Sequence, residues 1–491
     1  MLFTSTQFFI FFPVVTALYF LLPHRYRWLL LLTASSFFYM AFIPKYILIL
    51  FFTIIVDYIA GIQIEAATGR KRKLYLVISL IANIGVLAVF KYYNFFLGNI
   101  NDFAQLIHWN YSLPLLNIVL PLGLSFHTFQ AMSYTIEVYR GNYKAERHFG
   151  IYALYVMFYP QLVAGPIERP QNLLPQFREE HEFIYTRVTD GLKLMLMGFF
   201  KKLVIADQAA FIVNSVYSHP DDYTGLPLII ATVFFAFQIF CDFSGYTDIA
   251  RGAAKVMGFH LRENFNRPYS ATSIADFWRR WHMSLSTWFR DYLYFSLGGN
   301  RVSKLRWYFN ILLVFLLSGL WHGANWTFII WGALHGMYIA LSELTARWRE
   351  SAARLVRLDR VPRVRRGVQI IITFTLVTIG WVFFRSRDLG EALYILRHSL
   401  SGLWSQLSSL NYLRYELLVK ATLGVSKSTL LVLIASIALL LCIYFVRERP
   451  WWKRLLAIKP TVLRWSLYYA FILWLLLFGV FTQQNFIYFQ F

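Results

Sequence analysis

The residue best placed to move a proton is His322, within "LLSGLWHGANWTFIIWGALHG" at residues 316–336. The stretch is apolar enough to sit in lipid, yet it carries His322, Asn325 and His335 among glycines and tryptophans. A charged side chain at the bilayer centre costs about 2.5–3.5 kcal/mol, so such residues usually face a cavity or a partner. Gly319 and Gly323 flank His322 and let a neighbouring backbone or a ligand come close. The pattern points to a helix break lining a tunnel. A neutral imidazole can take a proton from an attacking hydroxyl and later return it, which makes His322 a candidate general base. His335, late in its run, reads as a hydrogen-bonded packing residue. Asn325 stays open between tunnel lining and helix packing, and Trp321 is a candidate lining residue beside the histidine.

Other polar residues gather in short segments of this apolar chain. "QIFCDFSGYTDIARG" (238–252) holds Asp242, Ser244, Tyr246 and Asp248. Asp242 and Asp248 are six apart, so on a regular helix they fall on nearly opposite sides. "DFWRRWHMSLSTWFRDYLY" (276–294) holds Arg279, Trp281, His282, Ser286, Arg290 and Asp291. With Asp242, Ser244 and Tyr246 these are candidate tunnel or substrate-lining residues. No G-x-S-x-G elbow, H-E-x-x-H or G-x-x-x-x-G-K-[ST] loop occurs, so hydrolase, zinc-protease and ATP-driven mechanisms find no local support. No metal site is expected. Cys241 and Cys442 are far apart in sequence and form neither a disulfide framework nor a metal pattern. Two classes remain: acyl transfer with a histidine base, and a proton-coupled transporter.

The elements that must hold these residues are membrane helices. The chain of 491 residues is 58% hydrophobic and 19% aromatic. Runs such as "STLLVLIASIALLLCIYFV" (428–446) carry no charge over the length that spans a bilayer. Short alternating strands are not seen, which argues against a β-barrel. The N-terminal run lacks a basic n-region and an A-x-A cleavage site, so it reads as a retained first membrane helix. The net charge of +22 would suggest nucleic acid in a soluble protein. Here the basic residues lie in loops between apolar runs, as the positive-inside rule produces, and contact with anionic membrane lipid is expected instead. "PHRYR" (23–27), "GRKRK" (69–73), 347–366 and "RERPWWKR" (447–454) are then cytoplasmic and the N-terminus lies outside.

Spans are expected near 6–22, 28–42, 45–61, 74–91, 115–138, 150–165, 190–213, 226–250, 308–320, 324–343, 367–384, 429–446 and 464–482, with some of them re-entrant. "AGPIERPQNLLPQFREEHEFIYTR" (164–187) reads as a surface loop or interfacial helix. The segment 262–301, dense in charge and aromatics, suits a membrane interface or a polar cavity. The whole chain, 1–491, reads as one membrane domain.

"FWRRWHMSLSTWFRDYLYFSLGGNR" followed by "LLSGLWHGANWTFIIWGALHG" resembles the membrane-bound O-acyltransferase family. "LPLGLSFHTFQAMSYTIEVYRG", "LVAGPIERP" and "DFSGYTDIARG" lengthen the match in order. It is similar above all to the branch of the alginate O-acetyltransferase membrane subunit and the D-alanyl transfer protein of teichoic acids. The resemblance implies an all-α polytopic membrane protein. It would have about 11–13 transmembrane helices, with re-entrant or interfacial helices, around a central tunnel. The catalytic region would be about 115–345, with extra transmembrane helices over 367–482. It further implies His322 as general base and His282 as its supporting residue. No role is assigned to His127, where the branch more often has an aromatic residue.

The resemblance implies acetyl-CoA or another acyl thioester as a cytoplasmic donor rather than a tightly bound cofactor. A periplasmic SGNH-type acetyltransferase partner and a polysaccharide such as alginate would be the acceptors. The location would be the bacterial inner membrane. D-alanyl transfer to teichoic acid and export of a polysaccharide or lipid-linked sugar are the alternatives.

Overall fold

In the computed structural model the described residues are 1–109, 113–116, 120–408, 423–446, 461–482 and 486–487. Among them there are helices and no strands. The basic loop 447–454 lies outside them. Seven helical segments are long and apolar enough to cross a membrane, among the described residues: 44–66, 69–106, 226–257, 304–322, 326–344, 362–385 and 427–446. Shorter apolar helices cover Thr6–Leu21 and Trp465–Phe478. The protein is an all-α, multi-pass membrane protein. Large apolar side chains such as Ile10, Leu48 and Ile371 stand exposed on these helices, as a lipid-facing surface requires.

The chain divides into two compact units. The first comprises residues 1–195 and 246–263. It holds α1 (Thr6–Leu21), α2 (His24–Met40), α3 (Ile47–Ala66), α4 (Gly69–Leu87), α5 (Tyr93–Leu106), α6 (Leu124–Arg140) and α7 (Phe149–Met157). Helices α3, α4 and α6 meet around a buried carboxylate. Asp57 accepts from the Ser79 hydroxyl at 2.6 Å and from the Asn83 amide at 2.9 Å, and the Ser79 hydroxyl also lies 3.0 Å from Thr135 Oγ1. Two donors from α4 offset the cost of burying that group, and Ser79 links it on to Thr135 of α6.

Two expectations change here. The span near 150–165 is a nine-residue helix, α7, followed by irregular chain. Pro160, Gly165 and Pro166 stop the helix, although the run is apolar enough to score as a span. The segment from 164 is not a surface loop at its start, because residues 159–170 are buried. Its charges find partners inside the unit. Glu168 accepts from the Arg262 backbone N–H at 2.7 Å and the Asn172 amide at 2.6 Å, while Arg169 donates to the Ser133 hydroxyl at 3.0 Å.

The second unit comprises residues 196–245 and 264–491. Helix α8 (Tyr185–Phe199) enters it and continues as a π-helical stretch, Phe200–Ala206, into α9 (Asp207–Tyr217). Helix α10 (Leu226–Met257) follows, its residues up to Gly245 in this unit and the rest in the first, then α11 (Ile274–Trp278), α12 (Met283–Trp288), α13 (Lys304–His322), α14 (Trp326–Leu344) and α15 (Ala346–Leu355). Helices α16 (Pro362–Arg385), α17 (Leu389–His398), α18 (Lys427–Val446) and α19 (Thr461–Phe478) complete it.

Helices α13 and α14 form a hairpin whose backbones touch at two glycines. A Cβ on Gly332 would lie 3.2 Å from Gly319 Cα and would collide with the Phe315 carbonyl. Without a hydrophobic drive between helices in lipid, small residues permit such close packing. Gly332→Val is therefore expected to force the hairpin apart. The amount of detergent-extracted, monodisperse protein should fall several-fold, and wild-type yield would contradict the close approach.

Candidate active site

The two histidines and their contacts lie within the second unit. Helix α13 starts at Ser303, whose hydroxyl accepts from the Arg306 N–H at 3.4 Å, and ends at His322. Three residues later Asn325 caps α14, its Oδ1 accepting from the Thr327 N–H at 3.0 Å. The Asn325 amide also donates to the Arg387 carbonyl at 2.8 Å, which ties this turn to the end of α16. His322 is thus held at a helix end beside a fixed turn. Its ring is buried and meets Trp321 and Trp331 edge-on, each with centroids 4.9 Å apart, and Phe384 at 5.5 Å. Aromatic walls of this kind exclude water from the imidazole.

His282 reaches the same cluster from another segment. It is fully buried in a left-handed backbone conformation, φ +43 and ψ +55, just before α12. Its ring packs on Phe243 of α10 at 4.7 Å and on Trp321 at 6.3 Å. The Trp321 indole is therefore in ring contact with both imidazoles. The two histidines, 40 residues apart in sequence, belong to one aromatic cluster. Trp281, also buried, packs against Phe277 at 5.4 Å and Trp381 at 5.0 Å, supporting the cluster from the side of α16.

A cavity of about 550 Å³ adjoins this cluster. Arg279, Ser286 and Arg290 line it, with Trp278, Tyr294 and Ser318. Arg290 pairs with Asp291 at 2.8 Å. On α13 the lining residues are Ile311, Val314, Phe315 and Ser318. Spacings of three, four and seven mark one helix face, and His322, eleven after Ile311, continues that face. Neither His322 nor His282 lines the cavity itself; His322 lies one turn beyond Ser318 on the face of α13 that does. Sequence reading missed Ser318 and Trp278.

His335 has a different setting. Its Nδ1 accepts from the Trp278 indole N–H at 3.2 Å, and its ring lies among Trp278, Trp331 and Phe277. It orders the tryptophans around the cavity, in line with a packing role.

Asp242 and Ser244 lie one residue either side of Phe243 but face elsewhere. Lys202 Nζ lies 2.7 Å from Asp242 Oδ1 and 2.9 Å from Asp207 Oδ1. The second Asp242 oxygen accepts from the Ile487 backbone N–H at 2.7 Å. Asp242 therefore anchors an ion triad and the chain's end, whereas Phe243 presents the wall to His282. Ser244 is buried. Tyr246 belongs to the first unit, where its ring packs on Phe3 at 4.6 Å. His127 is also in the first unit, buried on α6.

The arrangement puts two buried imidazoles in one aromatic cluster, with a cavity lined by two arginines beside it. The model of the MBOAT, membrane-bound O-acyltransferase, family matches residues 148–384. The chain is 41% identical, over 84% of its length and 77% of the relative's, to a Pseudomonas aeruginosa protein named "Probable alginate O-acetylase AlgI". It is 37% identical to the peptidoglycan O-acetyltransferase of Helicobacter pylori, over 75% of this chain and 72% of that one. It is 30% identical to the teichoic acid D-alanyltransferase of Bacillus subtilis, over 55% of this chain and 70% of that one.

Proposed function

The chain belongs to the membrane-bound O-acyltransferase family, and from that premise we propose that it moves acetyl groups from a cytoplasmic thioester to an exopolysaccharide such as alginate. The extent of likeness carries this reading. Relatives named for alginate O-acetylation match 84–88% of the chain at up to 41% identity, whereas the D-alanyltransferases match about 55% at 30% or less. The peptidoglycan O-acetyltransferase relative, at 37% identity, keeps a cell-wall polysaccharide as the second reading for the acceptor.

In this proposal acetyl-CoA or a similar thioester enters the α13 cavity from the cytoplasmic face. Arg279 and Arg290 suit its phosphates, since guanidinium groups bind phosphate oxygens in a fork. The acceptor hydroxyl gives its proton to His322 as its oxygen attacks the thioester carbonyl. The new C–O bond forms, the C–S bond breaks, and the proton returns from His322 to the departing thiolate. His282 orients donor or acceptor beside the shared Trp321. The acceptor is the polymer itself or a serine of a periplasmic SGNH-type partner, and the membrane is the bacterial inner membrane.

Acetyl-labelled acetyl-CoA supplied to inverted membrane vesicles tests the reading. Label should pass to polymer or partner, and intact right-side-out vesicles should show none. Transfer of D-alanyl but not acetyl groups would favour the teichoic acid branch. Sugar export without any labelled product would favour a transporter.

A further inference from the structure

We propose that Asn264 is the positioning residue that sets the His282 imidazole for acyl transfer. The inference rests on the reading of this chain as an O-acyltransferase and adds a residue to its machinery. His282 adopts a left-handed backbone, φ +43 and ψ +55. That region disfavours any residue with a Cβ, and such strain persists only where the surroundings over-determine it. The surroundings here are four hydrogen bonds from one short segment. The Asn264 carbonyl accepts from the Met283 N–H at 2.9 Å. The Asn264 side-chain oxygen accepts from the Ser284 N–H at 3.1 Å and from the Ser284 hydroxyl at 2.8 Å. Two residues on, the Asn266 N–H donates to the Arg280 carbonyl at 2.9 Å. These bonds grip the chain on both sides of His282 and leave its ring to meet Phe243 and Trp321.

The choice of side chain fits the task. Asn264 is 1% exposed, and the next residue, Phe265, packs on Phe243 at 5.0 Å. Both bonds to its side-chain oxygen fall on the residue two positions after His282, so that oxygen is the part of the Asn264 side chain the segment uses. Asn264 touches no reacting group. It acts through His282, whose ring would otherwise swing with a relaxed backbone. Displacing a catalytic group by about 1 Å can cost ~100-fold in rate.

The test is acyl-transfer kinetics with the full-length protein in detergent or nanodiscs. Asn264→Ala should lower kcat by roughly 10- to 100-fold, leaving KM for the thioester within about twofold. Asn264→Asp keeps an acceptor oxygen for Ser284 and should recover most of the lost kcat. Ser284→Ala removes one of the four bonds and should cost kcat severalfold. It also serves if Asn264→Ala fails to accumulate. Wild-type kcat in Asn264→Ala or in Ser284→Ala overturns the proposal. So does a loss that Asn264→Asp does not relieve, or one that appears equally in KM. His322→Ala is run in parallel. Full activity there sinks the acyltransferase assignment of the site, whereas wild-type activity in the Asn264 and Ser284 variants alone removes only the positioning role.

Discussion

His322→Ala is expected to reduce polymer O-acetylation in cells by at least about 100-fold while the protein accumulates normally. General-base catalysis by a positioned imidazole is worth roughly 10²–10⁴ in rate, and alanine supplies no proton acceptor. The fold should tolerate the change. His322 is the last residue of α13, and the turn after it is fixed independently by Asn325 through its bonds to Thr327 and Arg387. Trp331 and Phe384 also pack on each other and on Trp381, and Trp321 keeps its contact with His282. Immunodetection of the tagged protein must accompany the acetyl assay, because a variant that disappears says nothing about catalysis. Wild-type acetylation at wild-type protein level would leave His322 a packing residue. His322→Gln keeps a polar group of similar size and should be as inactive as alanine, since an amide accepts no proton near neutral pH.

Lys202→Met is expected to have the largest effect on stability. Its ammonium is 2.7 Å from Asp242 and 2.9 Å from Asp207, and all three side chains are more than nine-tenths buried. Removing one partner of a buried ion pair costs about 3–5 kcal/mol, because the remaining charge is left without compensation. Here two carboxylates would be left. Against a total stability of about 5–15 kcal/mol, that loss is a large fraction of what holds the fold. Asp242 also accepts from the Ile487 N–H, so the loss should reach that contact as well. The triple variant Lys202→Met, Asp207→Asn, Asp242→Asn removes the charges together and should recover much of the yield. Thermal unfolding of extracted protein is the measurement. A wild-type midpoint for Lys202→Met would show that the triad is not stabilising the fold.

Much of the site was legible in the sequence because its residues are unusual for a membrane segment. A histidine between two glycines and several tryptophans has few packing explanations, and His282 sits in an equally dense polar-aromatic run. Ser318 was not legible, since one serine in an apolar helix looks like any small packing residue until the cavity shows which face it lines. Asn264 was hidden because its partners, Met283 and Ser284, are some twenty residues away. Lys202 was hidden similarly, as Asp242 lies on another helix. Asp242 drew attention for its cost in lipid, a correct reason, but its ionic partner answers that cost. The segment 159–170 misled through composition. Hydropathy rises with Val, Leu and Ile whether or not proline and glycine let a helix form. The resemblance to a family supplied the acyl chemistry, which polar cost alone left open between enzyme and transporter.

The central claim is that acyl groups are transferred at His322. The most direct test is the rate at which purified protein, reconstituted in nanodiscs, passes labelled acetyl from acetyl-CoA to a hydroxyl acceptor. Wild-type protein should transfer label, and His322→Ala, at the same folded concentration, should transfer at least about 100-fold more slowly. Equal rates for the two proteins would contradict the account.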